Sequence, residues 1–259
     1  MHATAQDGRA SNGIFYRVVG AGEPLLLLHG IMVSGDMFDP LVALLSDRFR
    51  MLIPDLRGHG KSGTLPGPYD VAALAADLDA VRTEAGFERC AIMGYSHGGA
   101  VAQQVARDRL DVTKLYLCCT YACNASTLRE RIEGEVASAL LMLLSPGALA
   151  KIVFRTSKRG RMGLAPQQTD HLRALMAANS ARPMRGAVRG LVDFDSRPWL
   201  GEIAATTLVI GGADDQAVPR HHFDALLQGI PNAEGTLIDG ADHTLIWTHT
   251  RQLADLIGT

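Results

Sequence analysis

The tightest constraint on this chain is an alternation. Short runs of apolar, β-prone residues at 24–29, 51–55, 90–94, 114–120, 207–211 and 235–238 are separated by longer stretches of helical period. Those runs leave no face for water, so each predicts a strand covered by helices on both sides. A less apolar run at 13–19 predicts one more strand, and helices fit at 38–46, 71–85, 99–107, 219–228 and 248–257. The expected fold class is therefore α/β, with a mostly parallel central sheet flanked by helices. At 259 residues, 47% apolar and 20% charged, the chain is large enough for one core and too hydrophobic for a disordered segment.

Between 122 and 197 the alternation stops. No strand pattern occurs there, whereas Leu128, Ile132, Val136, Leu140 and Leu143 mark a helix that Pro146-Gly147 ends. Leu172, Leu175 and Met176 mark a second, and Pro183 stands where a first helical residue would open a third. The expected organisation is a core of residues 1–121 and 198–259 carrying an inserted helical lid, 122–197. Charge divides along the same line: residues 122–198 hold twelve Lys and Arg against six Asp and Glu, and the rest hold thirteen against twenty-one. Arg155, Lys158, Arg159 and Arg161 cluster in a loop-like stretch, and Arg185 and Arg189 lie one turn apart beside Met184, Val188 and Leu191. The bland reading is a solvated lid on an acidic body; the sharper one is a basic edge that attracts an anionic or carrier-bound substrate.

Several classes of partner are not expected. A net charge of −2 lacks the basic excess that drives nucleic-acid binding. The first ten residues carry no apolar signal segment, and no apolar run approaches the roughly 20 residues of a membrane span. Cys90, Cys118, Cys119 and Cys123 lie in apolar surroundings without zinc spacing, which points to reduced core thiols and a cytoplasmic protein. Neither a Gly-rich dinucleotide loop nor a Walker pattern is present, so no cofactor is expected. His29, His97 and His243 lack metal-ligand spacing, and no metal is expected either.

The segment that carries chemistry is Gly94-Tyr95-Ser96-His97-Gly98, placed between an apolar strand and a helical pattern. A serine on so sharp a strand-to-helix turn needs neighbours without side chains two residues away on each side, which Gly94 and Gly98 supply. The turn exposes the Ser96 hydroxyl, and the helix behind it directs free N–H groups toward developing negative charge.

With a strand that ends in His29-Gly30 and another that runs into Asp55, Arg57, Gly58, Gly60 and Ser62, the chain resembles the α/β-hydrolase family over nearly its whole length. Asp55, Arg57 and His59 read as loop scaffolding. The resemblance implies the order nucleophile, acid, base: Ser96, then Asp215 four residues before Pro219, then His243 after the last strand. Asp195 is the alternative acid, and Asp214 reads as a loop or cap residue. His171, His221, His222 and His249 read as surface or packing positions.

The resemblance further implies an oxyanion hole from the backbone N–H groups of Ile31 and His97. Substrate contacts are expected from His29, Met32, Tyr95, Met142, Trp199 and Leu245, with Met162, Met176 and Met184 as further apolar lining. A serine at the elbow disfavours the dehalogenases and epoxide hydrolases, which carry aspartate there. The expected activity is a carboxylic ester hydrolase, lactones included. C–C bond hydrolysis, cofactor-free perhydrolysis and a ligand receptor that retains the triad remain alternatives.

Overall fold

The computed structural model describes residues 5–109, 111–156 and 163–258, with the backbone alone described over 153–156. Its strands are β1 (Gln6–Arg9), β2 (Phe15–Val19), β3 (Glu23–Leu28), β4 (Phe49–Pro54), β5 (Cys90–Tyr95), β6 (Val112–Cys118), β7 (Thr207–Gly212) and β8 (Ala233–Ile238). They form one sheet in the order β1-β2-β4-β3-β5-β6-β7-β8. β2 runs antiparallel to both its neighbours, β1 and β4, and the other pairings are parallel.

Helices α1 (Asp39–Leu45), α2 (Val71–Ala85), α3 (His97–Asp108), α8 (Arg220–Gly229), α9 (Leu245–Thr248) and α10 (Thr250–Ile257) cover the sheet. Successive strand side chains point to opposite faces. In β3, Leu26 and Leu28 join the apolar layer under α2, α3 and α8, while Leu25 and Leu27 join the layer under α1 and α10. All four leucines are fully buried, which is why the run shows no polar alternation.

Between β6 and β7 stand α4 (Leu128–Leu143), α5 (Pro146–Thr156), α6 (Pro166–Ala177) and α7 (Ala181–Asp193). α4 packs on α7, and α5 on α6. Thr127 and Glu130 form a reciprocal capping box at the start of α4. The cluster Lys158, Arg159, Arg161 and Met162 lies outside the described residues, as does the Arg155 side chain.

Four expectations need correction. The charged segment of β1 has no apolar period, yet its backbone pairs with β2 from Gln6↔Val18 to Arg9↔Phe15 and extends the edge. The expected helix at 248–257 is two helices, because the backbone leaves helical geometry at His249. The helix at 38–46 is preceded by a 3₁₀ turn, Gly35–Phe38.

The last correction concerns α4, whose expected buried stripe faces outward. Leu128, Ile132, Val136 and Leu143 are exposed, and Leu140 is only half-buried. The helix instead buries Ser138 and Leu141, and Gly134 lies so close to Val192 of α7 that a Cβ would overlap it. Small residues let the two backbones approach, and that contact leaves the large apolar side chains outside. No helix among the described residues is long and apolar enough to cross a membrane.

Candidate active site

β5 ends at Tyr95 and α3 begins at His97, leaving Ser96 as the single residue of the turn. Its backbone stands at φ 53° and ψ −121°, a conformation that costs a non-glycine residue about 1–3 kcal/mol and persists only where neighbours enforce it. Here the Ser96 N–H donates to the Cys118 carbonyl at 2.9 Å. Its carbonyl accepts from Thr120 Oγ1 at 2.6 Å and from the Gly99 N–H at 2.9 Å. A Cβ on Gly94 would overlap the Gly98 carbonyl, and one on Gly98 would overlap that of Leu28. Only glycine lets the turn lie this close to the sheet.

The loop after β8 carries His243 to the same edge, where its Nε2 lies 3.1 Å from Ser96 Oγ. Its Nδ1 lies 2.8 Å from Oδ2 of Asp215, in the loop after β7. The other carboxylate oxygen accepts the N–H groups of Ala217 and Val218 at 2.8 and 2.9 Å. Burial favours a neutral Asp215, but attraction to His243 and these hydrogen bonds outweigh it and hold the carboxyl below its ordinary range. Burial likewise disfavours a charged His243, and the adjacent Asp215 carboxylate overrides it, raising the imidazole well above its ordinary value.

Opposite this relay, the turn after β3 closes on the serine: a Cβ on Gly30 would sit 3.3 Å from Ser96 Cβ. Ile31 follows in that turn, and His97 opens α3, so its N–H belongs to the helix's first turn, which has no intrahelical acceptor. The His97 ring is buried, with Nδ1 3.0 Å from Tyr121 Oη. Burial lowers its pKa to about 3, that of His59 to about 3 and that of His29 to about 4, so these three imidazoles are neutral near pH 7.

Sequence reasoning missed Asn179, just past α6. Its Nδ2 donates to the Met32 carbonyl at 2.9 Å, and its Oδ1 accepts the Gly60 N–H at 3.1 Å. One side chain thus ties the 122–197 insertion to two loops of the core. Pairing of asparagine with a distant carbonyl leaves no sequence pattern. Met32 itself has a left-handed backbone, φ 62°, and packs on Leu141, Leu149, Met184 and Val188 of the insertion. Met176 lies against the same cluster.

Other expected substrate contacts are placed elsewhere. His29 is fully buried; its Nδ1 donates to the Gly30 carbonyl at 2.7 Å and its Nε2 accepts the Leu56 N–H at 2.9 Å, which leaves no ring nitrogen for a ligand. Tyr95 is buried, with its hydroxyl donating to the His243 carbonyl at 2.7 Å, so it braces the histidine loop. Leu245 is core, Met142 is 64% exposed on α4, and Trp199 meets Phe194 edge-on and lies beneath Arg107.

The alternative acid Asp195 is paired with Arg197 at 2.6 Å, while His243 Nδ1 faces Asp215. Asp55 accepts the N–H groups of Gly35 and Lys61 at 2.8 and 2.7 Å, and Arg57 forks onto Asp77, both as loop scaffold. Among the described residues, two groups bring three possible metal ligands together: Cys119, Asp215 and His243, and Glu130, His221 and His222.

Residues 23–250 match the model of the alpha/beta hydrolase fold family. The chain is 29% identical to a pimeloyl-[acyl-carrier protein] methyl ester esterase of Xanthomonas campestris, over 93% of this chain and 95% of the esterase. It is 30% identical to a magnesium-chelatase 30 kDa subunit of Rhodobacter capsulatus, over 85% and 80%. The crystal structure of the enol-lactonase from Burkholderia xenovorans shares the fold at a TM-score of 0.87 and 23% identity, covering 97% of this chain and 98% of the lactonase. With the match spanning β3 to β8, the serine turn and the loops that bear Asp215 and His243, this chain belongs to the α/β-hydrolase fold family.

Proposed function

We propose that the protein is a serine hydrolase of carboxylic esters, lactones included, that works through an acyl-enzyme on Ser96. The observation that carries this reading is the continuous path from Ser96 Oγ through His243 to Asp215, at 3.1 and 2.8 Å. His243 Nε2 accepts the Ser96 proton as Oγ bonds to the substrate carbonyl carbon, and the carbonyl π electrons move onto oxygen. The N–H groups of Ile31 and His97 stabilise that oxyanion; one such donor contributes about 10²–10³ in turnover. Collapse of the intermediate expels the alcohol, which takes the proton from His243. Water then loses a proton to the same imidazole, attacks the acyl carbon and releases the acid with Ser96 restored. Asp215 accepts the hydrogen bond from Nδ1–H throughout without taking the proton, fixing the tautomer and stabilising the imidazolium.

Residues 122–197 act in this reading as a lid over Ser96, with Met32, Met176 and Met184 as its adaptable apolar lining. Arg185 and Arg189 on α7 favour an anionic or carrier-bound ester, and the likeness to a carrier-protein ester esterase supports testing that form. Four free buried cysteines accord with a reducing, cytoplasmic setting. The test compares p-nitrophenyl butyrate with a carboxylate-bearing ester of equal length as salt is raised. Turnover of both, with kcat/KM for the anionic ester alone falling with salt, is the expected result. Binding without turnover of either would return a receptor, and an equal salt response would reduce the basic helix to solvated surface.

A further inference from the structure

The start of α4 meets the start of α8 through Glu130, His221 and His222. Glu130 Oε1 lies 3.0 Å from His221 Nε2 and 3.1 Å from His222 Nε2. Its other oxygen is fixed by the Thr127 N–H at 2.9 Å and the Ser126 hydroxyl at 2.8 Å, so the carboxylate cannot turn away. His222 is buried and held edge-on against the Tyr121 ring, centroids 6.1 Å apart. His221 is half-exposed, which leaves an entry from solvent, and the Ser126 hydroxyl lies 3.2 Å from its Nε2.

We infer that Glu130, His221 and His222 bind one divalent cation of the zinc class, bridging the 122–197 insertion to the helix that follows Asp215. Two imidazoles and a carboxylate are an N/O donor set that suits zinc, cobalt or nickel; calcium and magnesium prefer all-oxygen sites. Bonds of 2.0–2.2 Å to a tetrahedral ion place its ligand atoms about 3.3–3.4 Å apart, so the two observed spacings need to open by only a few tenths of an ångström. The cation replaces the Nε2 protons now directed at Oε1, and each neutral imidazole carries its proton on Nδ1 instead. The fourth position faces water on the His221 side. A locked carboxylate and a ring held by Tyr121 supply the orientation that ligands need from their surroundings. The site shares no ligand with Ser96, Asp215 and His243, although His222 feels the Asp215 charge, and it stands whether or not the esterase reading does.

Zinc chloride, added to tag-free, chelator-treated protein, tests this through calorimetric titration, bound-metal analysis and thermal unfolding. One zinc per chain is expected, with Tm raised by at least about 5 °C at a hundredfold excess over Kd. Glu130→Gln keeps the capping acceptor, and His221→Gln changes a half-exposed side chain; each should fold as the parent does and weaken binding more than about tenfold. Cobalt in the same site should show imidazole and carboxylate ligation without a thiolate charge-transfer band. No uptake, uptake unchanged in both variants, or uptake lost only in Cys119→Ser would each overturn the proposal, the last by moving the ion to Cys119, Asp215 and His243.

Discussion

The loops at the strand ends hold Ser96, Asp215 and His243, whereas the 122–197 insertion is a set of helices whose ties to the core include Met32, Asn179 and Glu130. In the first region the polar atoms have short, fixed partners: the Ser96 carbonyl accepts from Thr120, one Asp215 oxygen faces His243 and the other accepts two backbone N–H groups, and the His243 carbonyl accepts from Tyr95. In the second, large apolar side chains stand in solvent, and a single amide side chain bridges to two loops. The difference separates two tasks. In the proposed reading the reacting groups sit where the sheet holds them rigidly, and the residues that would meet a substrate sit where packing can change without disturbing them.

The comparison breaks first at the acid. Asp215→Asn should leave the fold intact and lower kcat by about 10⁴-fold, because the imidazole loses the acceptor that fixes its tautomer. Asp195→Asn, which removes only a partner of Arg197, should leave turnover near the parent value. A reversal would move the acid into the end of the insertion.

Stability gives the next largest contrast. Leu26→Ala in the buried sheet should cost about 2–5 kcal/mol in urea unfolding, while Ile132→Ser on the exposed face of α4 should change stability by less than about 0.5 kcal/mol. If Ile132→Ser proved as costly, the outward stripe of α4 would be buried in solution.

Asn179 sharpens the boundary between the regions. Asn179→Ala should reduce kcat about tenfold with KM little changed, a loss of about 1.4 kcal/mol in the transition state alone. Asn179→Asp keeps an acceptor for the Gly60 N–H but cannot donate to the Met32 carbonyl, and should show the same loss of kcat. A rise in KM at constant kcat would assign the residue to substrate binding instead.

The smallest effect is in pH. His243 must be neutral to accept the Ser96 proton, and the Asp215 carboxylate raises its pKa. Activity should therefore rise with pH through an acid limb above 6.5. Asp215→Asn should move that limb to lower pH. His29, His59 and His97 titrate near 3 to 4 and should contribute nothing to it. A limb below 6.5 in the parent would contradict the strength of the pair.

The parallel strands and the serine turn were legible because both are local: apolar runs without alternation demand burial on two faces, and a turn this tight demands Gly94 and Gly98. Four features left no such mark. β1 is polar and owes its place to backbone pairing with β2. Gly134 and Ser138 set the buried side of α4 by being small, so its apolar period pointed the wrong way. Tyr95 looks like a pocket residue beside Ser96, yet strand alternation turns it under the His243 loop. Asn179 acts across 147 residues of sequence, to Met32, and only the fold brings the two together.

The most direct test of the central claim is to trap the acyl-enzyme. The protein is mixed with p-nitrophenyl butyrate, quenched in acid within the first turnover, and its peptides are weighed. The account predicts one butyryl group on the peptide containing Ser96, none on the same peptide of Ser96→Ala, and turnover of that variant at the solvent background. Ser96→Ala retaining more than a few per cent of activity, or label on another residue that tracks turnover, would contradict it.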